Sequence, residues 1–311
     1  MNKYNILKVL KITAVNIFLI IIGAVILEAG ALWVYYNEYK GNMKAEYGNS
    51  AEKNTESFLS WAFHSIVFFK SGYFDVNDFR KSSGLKFKKP PIILAGCSFT
   101  YGDRLNYNET FSYILSKYTK HPVYNLGLGG TSPRTALYIL RNKSLRNKLL
   151  KSAENIKYVI YTYIPDQLPR LYADVYRKPE PMFFYNKSEN KLKYFNSKGT
   201  IFRSYSYYLI SRKIAYSMDT NKQFKLFQIY MNEISKEIKK ISTGAKLVIL
   251  AYDTYITPAE NFLDGDIIII NVSDIVKENL RDDKFRTIDH HHPSAEAWKI
   301  IVPKLAEKLE L

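Results

Sequence analysis

Pro91–Gly96 reads PIILAG, a short apolar run that ends in glycine and leads directly into Cys97 and Ser98. A continuous apolar run of this length, bounded by glycine, is typical of a strand that is buried on both faces of a parallel sheet. The sequence predicts five such strands. The other four are Val123–Gly127 (VYNLG), Tyr158–Ile164 (YVIYTYI), Lys246–Tyr252 (KLVILAY) and Asp266–Val272 (DIIIINV).

Helical stretches separate most of these strands. Residues 222–241, for example, place Phe227, Tyr230 and Ile234 at the three- and four-residue steps of one helix face. Strands that alternate with helices form right-handed βαβ units, so the predicted class is α/β, a three-layer α/β/α sandwich around a five-stranded parallel sheet. In such sheets the ligand site lies outside the carboxyl ends of the strands, where the first strand places Ser98.

The composition narrows the class of protein. The chain has 311 residues, of which 47% are hydrophobic and 24% are charged, and this excludes a disordered or fibrous protein. The single cysteine, Cys97, excludes an internal disulfide, a CxxC redox pair and a cysteine-rich zinc site. The net charge of +16 hints at an anionic surface nearby, but no segment has the pattern of a nucleic-acid-binding module. We therefore predict no nucleic-acid partner.

The N-terminal segment has the features of a membrane anchor. Lysines precede an apolar run over residues 12–36, which is long enough to cross a bilayer, and aromatic residues follow at its far end. The positive-inside rule then places the N-terminus in the cytoplasm and everything after residue 40 outside the membrane, at the cell surface or in the periplasm. We predict a single-pass signal anchor over residues 1–40, a stalk over 41–89 and a catalytic domain over 90–311.

Other interpretations of this segment compete with the anchor. A cleaved signal peptide is one, because Ala29-Gly30-Ala31 loosely fits a small-residue cleavage site, although the apolar run continues past it. A buried core helix is another, and Glu28 is a costly residue in a membrane span. A lipoprotein is excluded because no cysteine lies near the N-terminus.

A candidate proton relay stands near the C-terminus. In Asp289-His290-His291-His292-Pro293, an aspartate three residues before a histidine can turn back to accept the Nδ1–H of that ring. The Nε2 atom of His292 is then free to take a proton from a serine hydroxyl, and Ser98 is the natural donor. The three histidines could instead bind a metal, but no other cluster of ligating residues supports such a site, so we predict none.

Three segments together resemble the SGNH (GDSL-type) hydrolase family. They are Gly96–Gly102 (GCSFTYG), Asn125–Gly130 (NLGLGG) and Asp289-x-x-His292-Pro293, and the resemblance spans residues 90–311. The resemblance implies a flavodoxin-like sandwich, Ser98 as nucleophile, His292 as general base, Asp289 as the partner that orients it, and an oxyanion hole made by the backbone N–H groups of Ser98 and Gly130. It also implies catalysis without a cofactor.

The sequence departs from the family pattern at two positions. Cys97 stands where the family has an aspartate before the serine, and we expect this residue to be structural. Pro165 stands where the family has an asparagine that donates to the oxyanion, and proline has neither a side-chain amide nor an N–H. Either Gln167 supplies the missing donor or the hole uses two backbone groups.

The predicted activity is hydrolysis or transfer of acyl esters through an acyl-enzyme. The location and charge point to acylated carbohydrate, such as O-acetyl esters of envelope or secreted glycans, and to the machinery that handles them. The alternative is a non-catalytic glycan-binding or assembly protein that keeps the fold. Tyr101, Asp166 and Arg170 are candidates for the substrate rim, and the long connection over residues 168–206 either completes this rim or is a solvated insertion.

Overall fold

A computed structural model describes the chain over residues 79–80, 87–150, 155–172, 183–186, 188–189, 191–194, 205–252, 256 and 266–311, with scattered positions between 13 and 33. The chain divides into two compact units. One comprises residues 71–198 and 215–311, and the other comprises residues 1–70 and 199–214. All the strands and the candidate site belong to the first unit.

The described elements follow one another in the order that the sequence predicts, with helices between the long strands. Their bounds are β1 Ile92–Gly96, α1 Ser98–Tyr101, α2 Phe111–Thr119, β2 Val123–Gly127, α3 Pro133–Arg141, α4 Lys143–Leu150, β3 Tyr158–Tyr163, β4 Phe183–Asn186, β5 Lys191–Tyr194, α5 Tyr205–Ser217, α6 Thr220–Ile241, β6 Lys246–Ala251, β7 Ile268–Asn271, α7 Val272–Ile275 and α8 Ala295–Lys308. Single turns of 3-10 helix occupy Tyr107–Glu109, Pro165–Gln167, Pro169–Leu171 and Asp283–Phe285.

The five predicted strands form one parallel sheet in the order β2-β1-β3-β6-β7. Every neighbouring pair is parallel, as the βαβ pattern requires. The last residue of β1, Gly96, is in register with Gly127 of β2 and with Thr162 of β3. The carboxyl ends of these three strands therefore lie at one edge, and the segments that follow them begin side by side.

Two apolar cores cover the two faces of the sheet, which confirms the three-layer prediction. In β1, Ile92 and Leu94 point into a core shared with α2 and α8, where Trp298 stacks on Phe111 with ring centroids 4.3 Å apart. The alternate residue Ile93 points into the other core, which is shared with α3 and α6. The alternation follows from the pleat, because successive side chains of a strand point to opposite faces.

The long connection after β3 contains a hairpin that the sequence analysis did not predict. The strands β4 and β5 pair antiparallel, and Arg141 of α3 links the hairpin to the sandwich. The guanidinium donates to the Leu192 carbonyl at 2.6 Å and also pairs with Glu233 and Glu237 of α6. Within residues 168–206, the segments 173–182 and 195–204 lie outside the described residues, so the choice between rim and solvated insertion stays open.

Most of the predicted anchor over residues 12–36 lies outside the described residues, as does the predicted stalk apart from positions 79–80 and 87–89. The described positions between 13 and 33 are helical and exposed. In the part of the chain that the structure describes, no helix combines the length and the apolar character needed to cross a bilayer. The anchor and the domain boundaries therefore remain predictions.

Candidate active site

Ser98 occupies the point where β1 ends and α1 begins. Cys97 lies at the N-cap of α1 and is fully buried, and the side chain of Ser98 is also buried. The close approach of α1 to β2 depends on Gly127, because a Cβ atom at this position would lie 2.4 Å from the backbone nitrogen of Tyr101. The glycine of the second motif thus allows the serine-bearing turn to pack against the sheet.

Asp289 and His292 form the hydrogen bond that their spacing predicts. The Oδ2 atom of Asp289 accepts from Nδ1 of His292 at 2.6 Å, and its Oδ1 atom accepts from the backbone N–H groups of His291 and His292 at 2.9 and 3.1 Å and from the Thr287 hydroxyl at 2.7 Å. The backbone N–H of Thr287 in turn donates to the His292 carbonyl at 2.9 Å. The turn therefore fixes both the carboxylate and the imidazole.

The electrostatics of this turn favour an ionised Asp289. Burial raises the pKa of the Asp289 carboxyl, but the hydrogen bonds from His291, His292 and Thr287 outweigh burial and lower that pKa well below its usual value. An ionised carboxylate accepts from Nδ1, so it holds the proton on that nitrogen and leaves Nε2 as the basic atom of the neutral ring.

Ser98 and His292 line the same cavity, which has a volume of about 590 Å³. Phe99 also lines it, and its ring centroid lies 5.4 Å from that of His292. The Ser98 hydroxyl and the His292 ring make no hydrogen bond with each other, although both residues line this cavity. Catalytic hydrogen bonds are often long in a free enzyme and shorten when substrate binds.

Asp103 is a functional candidate that the sequence analysis missed. Its Oδ2 atom lies 3.9 Å from Nε2 of His292, so the ring has a carboxylate on each side. Burial raises the pKa of Asp103, while His292 and Arg80 lower it and Asp289 raises it. Asp103 follows Ser98 by only five residues, but nothing in the local sequence indicates its contact with a histidine 189 positions further along.

The predicted oxyanion donors are available as backbone groups. No residue in the described part of the chain accepts a hydrogen bond from the N–H of Ser98 or of Gly130. Gly130 adopts a φ of 74°, which favours glycine, but it does not itself line the cavity. The next residue, Thr131, accepts a hydrogen bond through its carbonyl from Arg170 at 3.4 Å, and Arg170 does line the cavity.

Gln167 does not fit the role of substitute donor. Its side chain is 0% exposed and does not line the cavity. Its Nε2 donates to the Thr162 carbonyl at 3.1 Å, and its Oε1 accepts from the Tyr161 hydroxyl at 3.0 Å. The amide is committed to the end of β3, so we correct this prediction. Pro165 does line the cavity, and its position offers no side-chain donor.

The predicted rim residues separate into two groups. Asp166 and Arg170 line the cavity, and Arg170 Nη2 lies 3.5 Å from Asp166 Oδ2. Tyr101 does not line it, because its ring lies under the guanidinium of Arg80, at 4.8 Å from Cζ to the ring centroid. Two further arginines of the wall were not predicted, and they come from the segment before the Asp289–His292 turn. They are Arg281 and Arg286.

Across the described residues, no group of three or more histidine, cysteine, aspartate or glutamate side chains is arranged to hold a metal ion. The rings of the first and the third of the consecutive histidines have different partners. His290 has a φ of 56° and its Nδ1 lies 3.1 Å from Asp283, whereas the ring of His292 turns to Asp289.

No protein-family model matches this chain, and no curated protein matches it. Among solved structures, a lipolytic protein of the G-D-S-L family from Desulfitobacterium hafniense DCB-2 is 10% identical with a TM-score of 0.38, over 70% of this chain and 99% of that one. Est24, a carbohydrate acetylesterase from Sinorhizobium meliloti, is 11% identical with a TM-score of 0.39, over 71% of this chain and 99% of that one.

A family two carbohydrate esterase from Clostridium thermocellum, in complex with cellohexaose, is 9% identical with a TM-score of 0.41, over 73% of this chain and 65% of that one. A shared fold by itself does not carry an activity from one protein to another. The function of this chain therefore has to be argued from its own site.

Proposed function

We propose that this chain is a serine-dependent acyl-transfer enzyme of the SGNH type, which cleaves acyl esters through a covalent acyl-enzyme on Ser98. The observation that supports this proposal most directly is the 2.6 Å hydrogen bond between Asp289 and His292, in a ring that lines one cavity with Ser98. A nucleophile, a base and a group that orients the base are the parts that this chemistry requires.

The proposed reaction moves one proton back and forth. His292 Nε2 takes the proton of the Ser98 hydroxyl as the oxygen attacks the ester carbonyl, and Asp289 stabilises the imidazolium that results. The carbonyl oxygen becomes an oxyanion that accepts from the Ser98 amide and, as the family resemblance implies, from the Gly130 amide. The intermediate collapses, the proton passes to the leaving alcohol, and the acyl group stays on Ser98. Water or a sugar hydroxyl then takes the acyl group by the same steps in reverse.

The proposed substrates are O-acyl esters, acetyl above all, on glycans of the envelope or secreted from the cell. We further propose that residues 12–36 anchor the chain with the catalytic domain outside the cytoplasmic membrane. The lysine distribution and the length of the apolar run support this location. Hydrolysis and transfer differ only in the acceptor, so the acceptor added to the assay decides between them.

The test is turnover of para-nitrophenyl acetate by the full chain, together with covalent labelling by a fluorophosphonate. We expect activity and labelling in the parent protein, loss of both in Ser98→Ala, and loss of activity in His292→Ala. Ser242→Ala is a matched control, because this serine precedes β6 at the opposite, amino end of the strands and donates to the Ile156 carbonyl at 3.2 Å. Equal labelling of the parent and Ser98→Ala would contradict the proposed nucleophile.

A non-catalytic glycan-binding protein is the second candidate. It is favoured by Pro165, which occupies the cavity wall without a donor for the oxyanion. Each donor to an oxyanion is worth about 3 kcal/mol of barrier, so a site that lacks one is slowed by about a hundredfold or more. A folded parent protein with neither turnover nor labelling, but with glycan binding, would favour this candidate.

A further inference from the structure

The wall of the cavity carries an excess of positive charge. Of the described residues that line it, the permanently charged ones are Arg170, Arg281 and Arg286 against the single acid Asp166. The other nearby carboxylates, Asp289 and Asp103, lie on either side of the His292 ring. A cleft lined by one sign of charge concentrates its field in the space that a ligand occupies.

Arg170 is the most constrained of the three cations. It is only 3% exposed, although a buried guanidinium is costly unless its charge is compensated. Its ion-pair partner Asp166 lies 3.5 Å away and is 61% exposed, so water screens the acid much more than it screens the base. The guanidinium is also held by the Thr131 carbonyl at 3.4 Å, next to the proposed oxyanion donor.

The other two arginines come from a different part of the chain, the segment that leads to the Asp289–His292 turn. Arg286 donates from Nη1 to the His291 carbonyl at 2.7 Å, so its guanidinium is fixed to the same turn as the proposed base. Arg281 is exposed, and it has no ion pair with any residue that the structure describes. Two separate segments of the chain, the one after β3 and the one near the C-terminus, thus supply positive charge to the cavity wall.

We infer that the ester bound in this cavity carries a negatively charged group, a carboxylate or a phosphate, which the arginines of the wall bind beside Ser98. Arginine presents a planar fork of donors that matches either oxyanion in a bidentate manner. For a glycan substrate, this means an acidic sugar or a phosphorylated one. That the bound molecule is an ester rests on the proposed function, whereas anion binding can be tested without turnover.

The kinetic test compares charged and neutral esters of the same shape. On the acyl side the pair is para-nitrophenyl succinate and its methyl ester, and on the alcohol side it is acetoxynitrobenzoate and its methyl ester. We expect kcat/KM to be higher for the charged member of at least one pair. Raising the ionic strength shortens the Debye length from about 30 Å at 0.01 M to about 8 Å at 0.15 M, so this preference should decrease with salt.

Variants of Arg281 test the effect of the charge on activity without an effect on folding, because this side chain is exposed. We expect Arg281→Gln to lower kcat/KM for the preferred charged ester by about threefold, and for its neutral partner by less than that. Arg281→Lys should keep most of the preference, because it keeps the charge. Arg170→Gln should cost about tenfold or more on the charged ester, provided that it folds. Lys304→Gln, which removes an exposed charge from α8, is the control.

Direct binding separates this inference from the proposed reaction. In the full-length Ser98→Ala protein, calorimetry would compare a galacturonate trimer, glucose phosphate and uncharged maltotriose. Binding of the first or the second identifies the anion as carboxylate or phosphate, and Arg281→Gln should weaken it. If neutral esters are turned over while no anion binds and no charged ester is preferred, the inference is wrong and the enzyme proposal stands. If anions bind but no ester is cleaved, the inference of an anion site stands and the enzyme proposal is wrong.

Discussion

The substitution Asp289→Asn tests the proposed relay with almost no change in shape. In the structure, Oδ1 of Asp289 accepts from three donors at 2.7, 2.9 and 3.1 Å, and Oδ2 accepts from His292 Nδ1 at 2.6 Å. An asparagine can keep its carbonyl oxygen toward the three donors, and its NH₂ group then faces Nδ1. A donor at that position forces Nδ1 to accept, so the proton of the neutral ring moves to Nε2.

That exchange of tautomer removes the base. With its proton on Nε2, His292 cannot accept the proton of Ser98, and the same substitution in a Ser-His-Asp triad lowers kcat by about 10⁴. This corresponds to about 5 kcal/mol of barrier. The opposite amide orientation would lose three hydrogen bonds of about 1 kcal/mol each. We therefore expect Asp289→Asn to lower kcat by about 10³ to 10⁴ in a protein that still folds, with some loss of stability at neutral pH because asparagine lacks the charge that strengthens these hydrogen bonds.

The assay is kcat for para-nitrophenyl acetate, with thermal unfolding measured on the same preparations. Thr287→Val is the matched control. It removes one donor to the same carboxylate but leaves the bond to His292, so it should cost about 1 kcal/mol of stability and only a few-fold in kcat. An Asp289→Asn protein that is folded under the assay conditions and has kcat within tenfold of the parent would refute the relay.

Three further predictions concern the same edge of the sheet. The pKa of Asp289 is lowered in the folded protein, so its ionised form stabilises the fold above about pH 4, the ordinary pKa of an aspartate. This stabilisation is lost as the pH falls below that value. The stability of Asp289→Asn should therefore fall less steeply with pH below pH 4 than that of the parent protein. Asp103→Asn removes a carboxylate 3.9 Å from His292 Nε2 with little change in shape, so kcat for para-nitrophenyl acetate should fall by about a few-fold because less negative charge stabilises the imidazolium, and an unchanged kcat would exclude this role. Gly127→Ala should destabilise the fold by about 3 kcal/mol, because the added Cβ would lie 2.4 Å from a backbone atom. Gly129→Ala is the control, because its Cβ would lie 3.4 Å from Asp103 Oδ2, and it should cost less than about 1 kcal/mol. Chemical denaturation measures both free energies of unfolding.

Local sequence signals were sufficient for the sheet and for the hydrogen bond within the C-terminal turn. The five strands are short and continuously apolar because both of their faces are covered, and this is a property that each segment shows by itself. The Asp289–His292 bond spans three residues and is also a local feature. Both could therefore be predicted without knowledge of the rest of the chain.

The hairpin formed by β4 and β5 was missed although a signal exists. Phe183–Asn186 and Lys191–Tyr194 are rich in aromatic residues and flank the polar stretch 187–190, which is the pattern of a hairpin with a four-residue connection. The high content of lysine and asparagine in the surrounding segment obscured this signal. The anchoring contact from Arg141 depends on tertiary structure and has no local signature.

The contacts that change the chemistry of the site are long-range, which is why the sequence did not indicate them. Asp103 reaches His292 across 189 positions, and Gln167 is withdrawn from the cavity by the hydroxyl of Tyr161 and the carbonyl of Thr162. A glutamine near a predicted site has the same local appearance whether its amide faces the ligand or satisfies the end of a strand. Only the hydrogen-bond partners distinguish the two cases.

Asn125 and Gly127 of the second motif contact the turn that carries Ser98. Asn125 is 2% exposed, and its Nδ2 donates to the Thr100 carbonyl at 2.9 Å while its Oδ1 accepts from the Gly127 N–H at 2.9 Å. One side chain thus joins β2 to the turn that carries the serine. Because every bond of this amide is made inside the core, Asn125→Asp would replace a donor by a buried acceptor facing a carbonyl.

That substitution distinguishes a positioning residue from a purely structural one. We expect Asn125→Asp to destabilise the fold by about 3 kcal/mol. In the fraction of the protein that remains folded, the rate of Ser98 labelling should fall by a larger factor than the affinity for a neutral ester. A smaller side chain at this position, Asn125→Ser, keeps a hydroxyl donor and should recover part of the labelling rate. If labelling tracks the folded fraction alone in both variants, Asn125 serves stability and does not position the nucleophile, and the precise placement of Ser98 must then come from Gly127 and the N-terminus of α1.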